Sequence, residues 1–315
     1  MTEFTDLVDL ASERLGGAAV SANDEFFASR ENLVKAAKPV WREHEYTDRG
    51  KWMDGWETRR RREPGHDWCV VKLGLPGVIR GVCVDTTFFR GNFPEACSLE
   101  VGEGPDGPWV EILGKSELRG DSQNLFAIES SRRVTHVKLH IYPDGGVARL
   151  RVYGLVSPQP PMAGEEVDLA ALENGGLVLA ASDMFFGERH NLILPGPPLG
   201  MHDGWETKRR RGPGHDWAIL RLGFPGIVRR VEVDTRYFRG NAPGSCSLEV
   251  LETGDPLSPE SRWEEVLPST PLRPDAVHTF ENLRSSPPAT HARLNIYPDG
   301  GVARLRLFGT VGAAP

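Results

Sequence analysis

Two stretches of this chain carry the residue types that hydrolytic chemistry needs, and each occurs twice. DGWETRRRREPGHDW begins at Asp54 and DGWETKRRRGPGHDW at Asp203. The first holds Glu57, Arg59 to Arg62, His66 and Asp67. The second holds Glu206, Lys208 to Arg211, His215 and Asp216. A shared FRGN adds Arg90 and Asn92 to one copy, Arg239 and Asn241 to the other. An arginine fork matches the geometry of a carboxylate. A carboxylic acid can protonate a leaving group, and an imidazole or carboxylate can activate water. No other duplicated segments bring an anion receptor, a carboxylate and an imidazole together.

Each residue also has a structural reading. Glu57 sits between Trp56 and Thr58, where aromatic company can raise its pKa; it can equally pair with the adjacent arginines. His66, in PGHDW, is either a pH-tunable catalytic group or a hydrogen-bonded turn residue. Asp67 either orients that histidine or caps the turn. Arg59 to Arg62 cannot all face one ligand, because alternate members of an extended run point to opposite faces. Arg61 and Arg210 are taken as the members that reach a substrate. Arg90 and Asn92 lie beside a glycine, which suits anion binding and ordinary turn chemistry alike. Asp144 and Asp299, in PDGG, read as turn residues. Arg149 and Arg151 read as solvated or paired residues of a strand's polar face. Trp56, Trp68, Trp205 and Trp217 recur in register and read as core.

The elements that must position these groups are duplicated too. IYPDGGVARLRVYG from Ile141 is echoed by IYPDGGVARLRLFG from Ile296. VDLASERLGG from Val8 is echoed by VDLAALENGG from Val167, each leading into a Phe-Phe pair, Phe26-Phe27 and Phe185-Phe186. So long a period marks a duplicated domain, since solenoid repeats are far shorter. A chain of 315 residues predicts two domains, each able to bury a core. The expected boundaries are 1–156 and 167–315, joined by the proline-rich linker 157–166. A short helix opens each half: Thr5 caps an apolar stripe of Leu7, Val8, Leu10, Ala11 and Leu15, and Gly16-Gly17 stops it. Period-two alternation then takes over, as in Val82, Val84 and Thr86, in Val137, Leu139 and Ile141, and in Ala148, Leu150 and Val152. The PDGG between the last two runs predicts a hairpin loop. The class is all-β, with an antiparallel sandwich or jelly roll in each half.

Composition narrows the partners. A net charge of −7 gives no basic field for nucleic acid. No apolar stretch approaches the ~20 residues of a membrane span, and the acidic N-terminus lacks the regions of a signal peptide. Of four cysteines, Cys97 and Cys246 correspond, whereas Cys69 aligns with Ala218 and Cys83 with Glu232. No spacing resembles a zinc site, and free thiols point to the cytoplasm. HEXXH and cupin-like HXH patterns are absent, so no metal and no cofactor is assigned; a divalent ion is left open.

The long DGWE–PGHDW motif, the stretch from Val84 to Glu100 and the IYPDGG hairpin resemble allantoicase of the two-repeat type. The resemblance covers nearly the whole chain in both halves. It implies a hydrolase of purine (allantoin) degradation that converts allantoate and water into ureidoglycolate and urea. It also implies two jelly-roll sandwiches of the galactose-binding-like kind, and a homo-oligomer. Allantoate is a small anion with a carboxylate and two ureido groups on one carbon. Arg90 or Arg239 would grip the carboxylate, and Glu57 or Glu206 would protonate the departing urea nitrogen. His66 or His215 would position or deprotonate water. The alternative is a non-catalytic ligand- or protein-binding module. The enzyme reading is favoured because the shared charged residues cluster in Gly/Pro-flanked loops. The halves also differ: His140 corresponds to Asn295 and Met53 to His202. A stretch with Trp41, His44, Tyr46, Lys51 and Trp52 exists only in the first. Unequal positions are where the repeats can have specialised.

Overall fold

A computed structural model describes residues 4–162, 164–285 and 287–312. The chain divides into two compact units, Met1–Ser157 and Pro158–Pro315. In the first, the strands are β1 (Val8–Asp9), β2 (Ala18–Ala22), β3 (Tyr46–Thr47), β4 (Gly50–Lys51), β5 (Trp56–Glu57), β6 (Asp67–Asp85), β7 (Ala96–Gly102), β8 (Val110–Glu117), β9 (Gln123–Ala127), β10 (Arg133–Tyr142), β11 (Gly146–Val147) and β12 (Arg149–Val156).

The long β6 organises the unit. Its first part, to Lys72, pairs with β2 and β10. Its second part, from Gly77, pairs with β12, and with β9 from Gly81. β10 continues to β7 and β7 to β8. One eight-stranded antiparallel sheet therefore folds over on itself about Leu73–Gly77 and becomes a two-layered sandwich. Close approach needs glycine at this bend: a Cβ on Gly74 would lie 2.4 Å from the Leu15 carbonyl oxygen. The alternating residues meet as expected. Val71, Val82, Val84, Leu99, Val137, Leu139, Ile141, Leu150 and Val152 form one buried cluster with Trp56.

The second unit repeats this plan with β13 (Glu166–Asp168), β14 (Leu177–Ala181), β15 (Trp205–Glu206), β16 (Asp216–Asp234), β17 (Ser245–Leu251), β18 (Glu264–Pro271), β19 (Val277–Phe280), β20 (Ala289–Tyr297), β21 (Gly301–Val302) and β22 (Arg304–Val311). β16 takes the place of β6, pairing with β14 and β20 at one end and β22 and β19 at the other.

Five expectations change in detail. The leading helix is a single 3-10 turn in each unit, Glu13–Leu15 and Leu172–Asn174, closed by Gly16 and Gly175 at positive φ. Thr5 lies inside an earlier 3-10 turn, Phe4–Asp6, instead of capping a helix, and Val8 belongs to an edge strand. The PDGG segment is no hairpin, because β10 and β12 flank β6 on different stretches of it; the turn instead crosses the end of the sandwich and lays β11 against β5. Trp56 and Trp205 are core, each donating its indole N–H at 2.8 Å to a carbonyl, of Asp24 and Asp183. Trp68 and Trp217 are half-buried on the outer sheet face instead. Arg149 is neither solvated nor at a surface pair: it is buried, 2.8 Å from Asp54, and Arg304 repeats this with Asp203.

Candidate active site

The loop crossing at the end of each sandwich brings the duplicated segments together. β5 is held between the β11 pairing, Glu57 opposite Gly146, and a bridge to Ala28. That bridge carries Phe26 and Phe27 to the same place. The FRGN loop is fastened to the PDGG turn, because Gly146 N–H donates to the Asn92 carbonyl at 2.7 Å. Gly145 has φ 140°, and a Cβ there would sit 2.7 Å from that same oxygen, so only glycine fits. Asn92 is thereby fixed beside Glu57, and its Nδ2 donates to Glu57 Oε1 at 2.7 Å. The second unit has the same pair, Asn241 Nδ2 to Glu206 Oε1 at 2.5 Å.

Around the Glu57–Asn92 pair opens a cleft of about 780 Å³. Phe26 and Phe27 form one wall, Arg59 to Arg62 another, and Asp144 and Gly145 a third. Burial pushes the Glu57 carboxyl above its ordinary 4.5, and the Asn92 amide only partly opposes this. The cleft thus offers a carboxyl whose pKa burial raises, beside guanidinium groups suited to a small carboxylate.

Arg61 also anchors the wall behind. Its amide donates to Asp144 Oδ2 at 2.9 Å, and its Nη1 donates to Asp67 Oδ1 at 2.7 Å. Asp67 is buried and accepts from Asn23 as well, at 2.9 Å. In the second unit, Arg210 binds Asp299 through its amide, at 2.8 Å, and Asp216 through its side chain. Asp144 and Asp299 therefore hold the turn to the arginine-bearing loop, as turn residues should.

His66 and Asp67 do not line the cleft; Asp67 lies behind Arg61 and His66 turns to the outer face of the sheet. There the ring packs at a tilt against Tyr142, 4.7 Å between centroids, and bonds to His140 at 2.9 Å. His215 packs on Tyr297 at the same 4.7 Å and lies 3.3 Å from Asn295 Oδ1. Burial lowers the His66 pKa below its ordinary 6.5, helped by the positive charges of His140, Arg61 and Lys138.

Arg90 and Arg239 also stand apart. Their side chains are 77% and 81% exposed and pair with Asp121 and Asp275 at 3.0 and 2.9 Å. Those aspartates in turn accept the amides of Phe88 and Tyr237, both at 2.8 Å, which sit at φ 70° and 72°. A bulky residue in that region is strained. Arg90 therefore braces the loop that presents Asn92 and does not itself face the cleft.

Sequence reasoning missed the Phe26-Phe27 wall, and also Glu100 and Glu249, which lie 2.8 Å from His140 Nε2 and from Asn295 Nδ2. The repeated SLE triplet was the available signal, since its Ser and Glu alternate with a buried leucine. Among the described residues, no group of three His, Cys, Asp or Glu side chains could hold a metal ion. No helix among them is long and apolar enough to cross a membrane.

The chain matches the family model for the allantoicase repeat twice, over residues 8–157 and 167–312. It is 50% identical to a probable allantoicase of Pseudomonas aeruginosa over 97% of this chain and 96% of that one. It is 46% identical to an allantoicase of Dictyostelium discoideum, over 96% and 87%. Among solved structures, the allantoicase of Saccharomyces cerevisiae superposes with a TM-score of 0.83 at 39% identity, covering 96% of this chain and 92% of that one.

Proposed function

The chain belongs to the allantoicase family, and from that premise we propose that it hydrolyses allantoate to ureidoglycolate and urea, using the cleft around Glu57. The observation that carries this reading is the protonatable Glu57, held by Asn92 within a wall of arginines. The substrate is an anion with two ureido arms. Guanidinium forks of the Arg60 to Arg62 run receive its carboxylate, Arg61 being the member already oriented by Asp67. Glu57 gives its proton to the nitrogen of the departing urea, so the carbon–nitrogen bond breaks without expelling an anion. Asn92 holds the carboxyl and, once the proton has left, stabilises the carboxylate that remains. A water supplies the new C–O bond and gives up a proton; His66, on the outer face of the sheet, is out of place to take it. Glu206, Asn241 and Arg210 form the corresponding set in the second repeat.

On this reading the protein serves purine degradation for nitrogen assimilation. Four buried, unpaired thiols suit the reducing cytoplasm. A homo-oligomer is the assembly expected of the family, and neither nucleic acid nor membrane is a partner. The test is urea release, measured with allantoate and with allantoin as separate substrates. Urea should appear from allantoate and not from allantoin, whose ring lacks the carboxylate that the arginines receive. Equal turnover of both, or of neither with divalent metals supplied, would overturn the reading.

A further inference from the structure

The stretch that the second repeat lacks is a hairpin standing against one wall of the first cleft. The same bond closes it off in both units. The Val40 amide donates to Asp54 Oδ2, and the Leu199 amide to Asp203 Oδ2, each at 3.0 Å. Fourteen positions separate the first pair and four the second, so the first repeat carries ten extra residues. Within them β3 pairs with β4, Tyr46 opposite Lys51 and Thr47 opposite Gly50. A single 3-10 turn, Met201–Asp203, takes their place in the second repeat.

The hairpin is stiffened from within. Lys51 Nζ donates to the Arg42 carbonyl at 2.6 Å and also to that of Glu43. The same ammonium lies over the rings of Trp41 and Tyr46, 4.8 and 4.9 Å from their centroids. Arg42 covers the Trp52 ring at 4.6 Å and pairs with Glu45 at 2.8 Å. At the tip, the Arg49 amide donates to Thr47 Oγ1 at 3.1 Å. The hairpin then touches two parts of the cleft. At its base, Trp41 packs on Phe88 at 5.8 Å, in the loop that presents Asn92. At its tip, Arg49 Nη1 donates to the Phe26 carbonyl at 2.9 Å, and its guanidinium carbon lies 5.2 Å from the Phe26 ring centroid. Arg59, held by Asp24 at 2.6 Å, approaches the same ring at 5.4 Å. Phe26 meets Phe27 edge-on at 5.1 Å, and Gly50 backs Phe27, since a Cβ there would lie 3.8 Å from its ring.

The second repeat keeps the aromatic pair without the hairpin. Phe185 and Phe186 meet edge-on at 4.8 Å. Lys208 stands where the first repeat has Arg59, and it pairs with Asp183 at 3.3 Å. Phe185 and Phe186 are 71% and 62% exposed, against 40% and 37% for Phe26 and Phe27. Rings left in water keep their rotamer freedom, and a ligand that orders them binds more weakly for it.

We propose that the hairpin holds the Phe26–Phe27 wall in place before substrate arrives, with Arg49 as the positioning residue, so that the first cleft is a preformed receptor for a planar ureido arm and the second is not. This rests on the allantoate reading and adds to it the surface that receives the uncharged part of the substrate. A ureido group is flat, with its N–H and C=O groups at the edges. A fixed ring can cover its face while the edges stay free for polar partners such as the Glu57–Asn92 pair. Arg59 is committed to Asp24 and Phe26, which leaves Arg60 to Arg62 for the carboxylate.

The test is Arg49→Ala, a change at an exposed residue that leaves the sandwich core untouched. Two readouts are needed. The first is peptide-level amide exchange. The Phe27 and Ala28 amides donate to the Glu57 carbonyl at 3.2 and 3.3 Å, and the Phe186 and Gly187 amides to that of Glu206 at 3.1 Å. In the unsubstituted protein, segment 24–28 should be protected about tenfold more than segment 183–187 once intrinsic rates are corrected, and Arg49→Ala should remove most of that difference. The second readout is steady-state urea release in a Glu206→Gln background, where the first cleft is read alone. There Arg49→Ala should raise KM about three- to tenfold with kcat within about twofold, because a wall that substrate must order weakens binding and leaves proton donation as it was. Equal protection of the two segments would overturn the proposal, and so would a KM within about twofold of the parent's. A fall in kcat with KM unmoved would also overturn it, as would complete loss of urea release in Glu206→Gln alone, which would put turnover in the second repeat. Absence of urea release from the unsubstituted protein would instead sink the allantoate reading. The exchange comparison would then still decide whether the hairpin holds the wall.

Discussion

The sharpest claim concerns Glu57, because its replacement by glutamine changes chemistry and almost nothing else. Glutamine has the same shape, and its Oε1 can still accept from Asn92 Nδ2, now 2.7 Å away. The backbone ties of the residue, to Ala28 and Gly146, do not involve the side chain. What disappears is the proton. Protonation of a leaving group by a placed acid contributes about 10²–10⁴-fold, or ~2.7–5.5 kcal/mol of barrier. Glu57→Gln should therefore lower kcat by about that factor, with KM changed little, since the arginines remain. The pH profile supplies a second check. Burial holds the Glu57 pKa above 4.5, and the acid works only while protonated. Activity should fall as pH rises through that raised pKa. In Glu57→Gln, the residual activity should lose this alkaline limb. Coupled assay of urea over a range of pH reads both quantities. The parallel variant Glu206→Gln serves as the internal control: equal partial losses from the two variants mean two working sites, and near-total loss from one alone means a single site. A Glu57→Gln protein that keeps kcat within about twofold, ~0.4 kcal/mol, would refute the role of Glu57 as acid.

Much of this arrangement could be read in the sequence, for identifiable reasons. Duplication and period-two patterning are carried by residue types along the chain, so two all-β repeats were legible before any contact was known. The pairing of Glu57 with Asn92 was partly legible, since both lie in repeated, glycine-flanked segments. Other features depend on which strands are neighbours, and the pattern is silent there. PDGG reads as a hairpin because the runs flanking it alternate. The bend in β6 sends those runs to different stretches of one strand, and no local signal marks it beyond LGLPG, Leu73 to Gly77. Arg90 looks like an anion receptor because arginine beside glycine commonly is one. Only the strained Phe88 and its distant partner Asp121 reveal that it braces the loop. His66 reads as a neighbour of Glu57 because only eight residues separate them. The loop between them leaves Glu57 at the cleft and turns His66 to the outer face of the sheet. The exchange of His140 for Asn295 was visible as a difference, but the partner of His140, Glu100, lies forty positions away along the chain.

Two further predictions follow from the supporting contacts. Arg90→Ala should alter KM for allantoate by less than about threefold, because the side chain faces solvent; its effect should appear instead as faster amide exchange in the loop from Thr86 to Asn92, and a tenfold rise in KM would return it to the carboxylate site. Asp54→Ala should be among the most damaging single changes away from the cleft. Arg149 is almost wholly buried and donates from Nη2 to Asp54 Oδ2 at 2.8 Å, while its other nitrogens donate to the carbonyls of Ala37, Asp54 and Ala148. Removing one partner from a buried pair costs about 3–5 kcal/mol, because the remaining charge stays desolvated. The three carbonyls solvate part of the guanidinium charge, so the lower end of that range is expected, read as the loss in unfolding free energy from urea denaturation. The pH dependence gives the sign independently. Burial works against the Asp54 carboxylate, but Arg149, the Val40 amide and Lys35 outweigh it and hold the pKa below 3.8. A depressed carboxyl pKa means stability that is fully present above the unfolded value and lost as pH falls through the folded one. The unsubstituted protein should therefore lose this contribution only below about pH 4, and Asp54→Ala should lack it at every pH. If the two proteins differ in stability by the same amount at pH 7 as under strongly acid conditions where both remain folded, the pair does not hold the β12 end of the sandwich through its charge.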